Sequence, residues 1–171
     1  MTKPSDQVHT ERPQIRRING YLNRLHPVVD SAGDIVSYVA KPFMVELRIR
    51  DVMQILVGAT LLAIPSAFTE EVWVLGEELP PANVAAIATI SIFLIGLFTY
   101  FNTYKGYLGS YRVEFVKRVL ATYVLSLIVV GVFLTLFQKA PWGVDTALAI
   151  RRVVLVGLPA AMSATVADML K

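Results

Sequence analysis

Apolar residues gather in four long runs, all of them after residue 51, with short polar stretches between. A helix that crosses a hydrocarbon core of roughly 30 Å needs about 20 apolar residues. The runs at 52–75, 82–101, 117–137 and 144–170 reach that length. The first is uncharged only through residue 68 and meets Glu70 and Glu71 if it continues to 75. The second carries no charge, and the third carries none from residue 119 onward. The fourth is punctuated by Arg151, Arg152 and Asp168, which leaves 153–167 uncharged and an interfacial or re-entrant helix as the competing reading. The pattern predicts an all-α membrane protein with four transmembrane helices in residues 51–171.

Residues 1–50 read differently. Ile15, Ile18, Leu22, Leu25, Val29, Ala32, Val36 and Val39 follow steps of three and four, the spacing of an amphipathic helix. Gly20, Pro27 and Gly33 interrupt it, since proline removes a backbone donor and clashes with the preceding turn. The expectation is an amphipathic cytoplasmic N-terminal segment of two short helices broken near Pro27. Its apolar stripe, with Arg16, Arg17 and Arg24 off it, suits an anionic lipid surface or a neighbouring subunit.

Charge gives the runs a direction. The first 51 residues hold 14 of the 29 charges, which marks them off from the apolar remainder. Short cytoplasmic loops are enriched in Lys and Arg. The stretch after the first run carries Glu70, Glu71, Glu77 and Glu78 without a basic residue and reads as external. The stretch after the second carries Lys105, Arg112, Lys117 and Arg118 against Glu114 and reads as internal. A multi-pass protein of the cell membrane with both termini cytoplasmic follows. Tyr100, Phe101, Tyr104, Tyr107 and Tyr111 fit an inner aromatic belt or a ligand cage, and Trp73 and Trp142 fit the outer boundary.

Composition narrows the chemistry. The chain is 55% hydrophobic and 17% charged, against about 45–50% and 25% in soluble domains. A net charge of +3 with no basic patch interleaved with aromatics gives no reason to expect nucleic acid. There is no cysteine, and His9 and His26 have no ligand-like spacing, so no metal site and no cofactor are expected. Motifs for enzymatic work are missing, and a non-enzymatic role is expected.

Candidate sites sit where charge meets the apolar runs. Pro65 and Pro159 mark expected helix kinks. Glu70, Glu71, Glu77 and Glu78 are ion-path candidates, because carboxylates at membrane depth are costly and mark ion or proton routes. On a continuous helix Glu70 and Glu77 would share a face, as would Glu71 and Glu78, and a symmetric oligomer would stack them into acidic rings. Two other readings compete: the glutamates emerge among the headgroups, or Arg151 and Arg152 clasp Glu70 and Glu71. Asp168 is a further charge-pair candidate.

One resemblance stands beside this. The stretch from Val57-Gly58-Ala59 to Pro65, then Thr69-x-Glu71-Val72-Trp73-x-x-Gly76, resembles the opening of an uncharacterised prokaryotic family of integral membrane proteins. Val156-Gly157-Leu158-Pro159-Ala160 with Ala167-Asp168 is similar to that family's final helix. The resemblance covers about a third of the chain and implies a membrane location. Two roles from different classes remain as expectations. One is an oligomeric channel or transporter subunit for a monovalent or divalent cation. The other is a non-conducting scaffold or accessory subunit of a larger membrane complex. In both the partners are the lipid bilayer and further subunits, since four spans of this length leave little interior for a private conduit.

Overall fold

The computed structural model describes residues 14–18, 21–30, 35–42, 46–106 and 108–170. The chain forms two units, Met1–Glu46 and Leu47–Lys171. The first is a three-stranded antiparallel sheet in the order β1-β2-β3, with β1 at Gln14–Ile18, β2 at Tyr21–Val29 and β3 at Ile35–Pro42. The amphipathic helices expected here are therefore corrected to strands. β-Branched Ile15, Ile18, Val28, Val29, Ile35, Val36 and Val39 suit a pleated surface better than a helix. Ile18 pairs with Tyr21, so Asn19-Gly20 falls between two paired strands in sequence, and Asn-Gly is the strongest short hairpin signal. Pro27 lies beyond the part of β2 that β1 covers, where one ladder rather than two runs beside it. Within this unit the Glu46 carboxylate accepts from the Arg17 guanidinium at 2.8 Å and from the Leu22 amide at 2.9 Å. His26 lies in β2; His9, Gly20, Ala32 and Gly33 lie outside the described residues.

The second unit is helical: α1 Ile49–Ala67, α2 Glu70–Glu78, α3 Pro81–Thr99, α4 Arg112–Leu136 and α5 Thr146–Met169. A π-helical turn, Tyr100–Tyr104, extends α3 at its carboxyl end. Four of these helices, α1, α3 with its π turn, α4 and α5, are long and apolar enough to cross a membrane. At 19 residues α1 is the shortest, about 28 Å at 1.5 Å per residue, which just covers a hydrocarbon core.

The outside of the bundle is apolar. Val57, Leu61, Phe93, Ile128, Val132 and Leu136 are each more than half exposed, a surface suited to lipid rather than water. Inside, α5 packs against α1, α2, α3 and α4, most extensively against α1. Ala59, Ala63 and Ala67 of α1 and Ala160 and Ala164 of α5 are fully buried. Such small residues let helix backbones approach closely in lipid. Gly58 marks the tightest point: a Cβ there would lie 2.5 Å from Ala167 Cβ and 2.9 Å from Ala164 Cα.

The first apolar run does not continue to residue 75. Pro65, inside the last turn of α1, has its carbonyl occupied by the Phe68 amide at 3.3 Å and the Thr69 hydroxyl at 3.2 Å. The helix stops, and α2 starts anew behind Thr69 in extended conformation. Pro159, by contrast, lies within α5, which runs through it as one helix. The other apolar runs fall on helices whose ends differ from the expected ones: α4 begins at Arg112 rather than 117, so Lys117 and Arg118 are helical.

Candidate functional site

Three helix ends meet around one guanidinium. Asp51 stands in the first turn of α1, where its Oδ2 accepts the backbone N–H of Arg48 at 3.1 Å and so caps the helix. The same oxygen accepts from Arg118 Nη2 at 2.6 Å. Arg118 comes from the second turn of α4 and also faces Asp168 of the last turn of α5, with Nε 3.4 Å from Oδ2. All three side chains are about 1% exposed. The same end of the bundle is tied further: Gln54 donates to the Leu170 carbonyl at 3.1 Å, and Thr103 of the π turn approaches Met169 Sδ at 3.3 Å. Tyr104, expected in an aromatic belt, is fully buried against Phe115, ring centroids 5.2 Å apart; Tyr107 lies outside the described residues.

The ionisable groups are distinct from the hydroxyls around them. Buried Ser91, Ser126 and Thr165 each donate to the carbonyl four residues back in their own helix, at 2.7 Å. Their polarity is satisfied locally. Arg118 and its two aspartates instead join three separate spans. Charge this deep is held only where geometry supplies partners, because desolvating each ion costs several kcal/mol.

A second, smaller clasp lies at the opposite end of α5. Arg152 Nη2 meets Glu77 Oε1 at 2.6 Å, and its Nη1 donates to the Lys139 carbonyl at 2.8 Å. Gln138 ends α4 with φ at 58°, and the Lys139 amide returns to the Leu134 carbonyl at 2.8 Å. The Lys139 ammonium then sits 3.7 Å from the centroid of the Trp73 ring. Trp73 in turn donates its indole N–H to the Ala67 carbonyl at 3.0 Å, satisfying an acceptor left open where α1 ends. The spacing Thr69-x-Glu71-Val72-Trp73-x-x-Gly76 thus has a physical content. Thr69 occupies the Pro65 carbonyl, Val72 packs on the core, and Trp73 caps α1. Gly76 leaves room for Arg152, whose Cγ would lie 2.7 Å from any Cβ there.

The sequence-level candidates are distributed unevenly over these two sites. Arg152 pairs with Glu77, not with Glu70 or Glu71, which are exposed in the first turn of α2, as Glu78 is in its last. Their place at the helix start follows the macrodipole, which favours acids there. Arg151 is half-buried next to Arg152. Asp168 pairs with Arg118, at the other end of α5 from Arg151 and Arg152. Asp51 and Arg118 were not singled out by the sequence reasoning. One signal existed: Arg118, Thr122 and Ser126 recur every fourth residue, a polar stripe along an apolar span, and all three are buried.

The pairing of Arg152 gives a first expected result. Glu77→Arg should lower thermal stability in detergent, and adding Arg152→Glu should recover about half of that loss through the restored pair. Glu71→Arg should lower the melting temperature much less, because Glu71 is exposed and only its favourable place in the first turn of α2 is lost.

No curated protein and no solved structure matches the chain. A family model described as "Putative integral membrane protein (DUF2391)" matches residues 30–170, which takes in every helix from α1 to α5 and both clasps. With four apolar spans and most of its length inside that match, the chain belongs to this family of integral membrane proteins.

Proposed function

We propose that the protein is a subunit of an oligomeric cation-transport assembly in the cell membrane, with both termini cytoplasmic, and that Asp51, Arg118 and Asp168 form its ion-coupling group. The observation that carries this reading is the burial of three ionisable side chains from three different spans, each about 1% exposed. Ionisable groups inside membrane bundles concentrate on ion and proton routes. A cation or proton that takes a carboxylate away from Arg118 loosens one helix end from the other two, which links ion binding to helix movement. Exposed Glu70, Glu71 and Glu78 at the far end suit the attraction of cations towards the assembly.

The tight α1–α5 contact at Gly58 favours a second reading, a non-conducting accessory subunit in which both clasps only hold the bundle. Flux into liposomes holding the purified full chain separates the two. Under the transport reading, a proton or alkali-cation gradient drives flux that Asp168→Asn reduces by roughly tenfold or more per folded protein, beyond the loss that its lowered melting temperature explains. Glu70→Gln with Glu71→Gln lowers it less, and Glu77→Gln leaves it intact. Absence of flux under every gradient tried contradicts the transport reading and leaves the accessory one.

A further inference from the structure

An open groove runs between α3 and α4 on the outside of the bundle, with a volume of about 460 Å³. Its walls are apolar: Phe93, Gly96, Leu97 and Tyr100 on one side, Val116 and Leu120 on the other. From Ile92 to Tyr100 it extends about 12 Å along α3, two helical turns into the bundle from the π turn. Tyr100, the first residue of that turn, lines the groove, and π-helical turns concentrate at functional sites.

The chain segment that leads away from this end of the groove is basic, with the Lys105 ammonium 5.9 Å from the centroid of the neighbouring Phe101 ring. Leu108 closes the groove, and Arg112, four residues on, stands one turn before Phe115 and Val116 on the same side of α4. Lys105 follows the π turn directly; Lys105, Arg112 and Lys117 are all exposed, while Glu114, the one acid in the segment, is half-buried. An apolar furrow in the membrane with cationic groups at its mouth matches a molecule with an acyl chain and an anionic head. A second copy of the chain fits less well, since a two-fold contact would bring two such basic segments together.

We propose that this groove is a specific site for an anionic phospholipid, with one acyl chain between α3 and α4 and the phosphate met by Arg112 and Lys105. Occupancy fastens α3 to α4 where they flank the Arg118 cluster.

The test is native mass spectrometry of the full-length protein in mild detergent, titrated with phosphatidylglycerol or with phosphatidylcholine of the same chains. One phosphatidylglycerol should be retained, roughly tenfold or more tighter than phosphatidylcholine, and Arg112→Gln should weaken it by about fivefold, with Lys105→Gln adding a similar factor. Gly96→Leu fills the groove and should abolish retention, whereas Gly96→Ala, whose Cβ meets nothing nearer than Phe115 Cζ at 3.8 Å, should not. Arg112 and Lys105 are exposed, so their variants keep the measurement open even where Gly96→Leu fails to fold. Equal retention of the two lipids overturns the proposal. Phosphatidylglycerol binding that survives Gly96→Leu overturns it as well. So does a dimer that Gly96→Leu converts to monomer, which would give the groove to a second copy.

Discussion

Arg118→Met is expected to destabilise the helical unit by about 3–5 kcal/mol, the usual consequence of removing one partner from a buried ion pair. The substitution keeps the unbranched stem and removes the guanidinium, so the charge and its donors go and a small cavity is left where the fully buried Arg118 head had been. Asp51 then loses its 2.6 Å contact and Asp168 its 3.4 Å contact, in an interior that offers little water. Against a whole-protein stability of some 5–15 kcal/mol, the loss should show as low yield and an early transition when the protein is titrated from mild micelles into SDS. Arg118→Lys should recover part of it, because a point ammonium serves one carboxylate well where the planar guanidinium reaches two. Asp51→Asn should be milder than Arg118→Met. Its amide oxygen still accepts from the Arg48 backbone N–H, so the helix cap survives the loss of charge.

The second large effect is expected at Gly58. Gly58→Ala places a methyl group 2.5 Å from Ala167 Cβ, 2.9 Å from Ala164 Cα and 3.0 Å from the Ser163 carbonyl. Two of these three neighbours are backbone atoms of α5, so no side-chain rotation relieves the overlap and α1 must move away. Overpacking of this kind costs about 1–3 kcal/mol, and Gly58→Leu should cost more. Gly96→Ala is the internal control. It adds the same methyl group in a span of the same bundle, with its nearest neighbour at 3.8 Å, and should change the SDS transition little. If the two alanine variants unfold alike, the close α1–α5 contact is not a feature of the protein in its membrane.

How far the sequence led depended on which physical rule governed each segment. Long uncharged runs in a bilayer have one solution, because every backbone group must be paired within the helix. The four spans were legible for that reason. Their ends are not, since a charged residue marks a loop and a helix end equally well. Arg118 was counted among the basic loop residues, although it begins the buried stripe that continues through Thr122 and Ser126. Its pairing with Asp51 joins residues 67 positions apart, and no local pattern records such a distance.

The amino-terminal strands were misread because steps of three and four between Ile15 and Val39 look helical when apolar positions alone are counted. Weighing β-branching and the Asn19-Gly20 pair would have reversed that reading. At the other end of the bundle the arginine was identified and its partner was not. A continuous first span would carry Glu70 and Glu71 to the level of Arg152. The break after Ala67 resets the helix, so that Val72, Trp73 and Gly76 turn inward and Glu77, beside Gly76, comes within reach.

The idea underlying both the stability and the transport readings is that Asp51 and Arg118 attract each other inside the bundle. A double-mutant cycle in lipid nanodiscs or bicelles measures this without reference to any activity, using wild type, Asp51→Asn, Arg118→Met and the two changes together. Strong coupling is expected, with the double variant more stable than the sum of the single losses by about 1–3 kcal/mol. Strictly additive losses would contradict the account, because they would mean that these two side chains do not meet in the membrane.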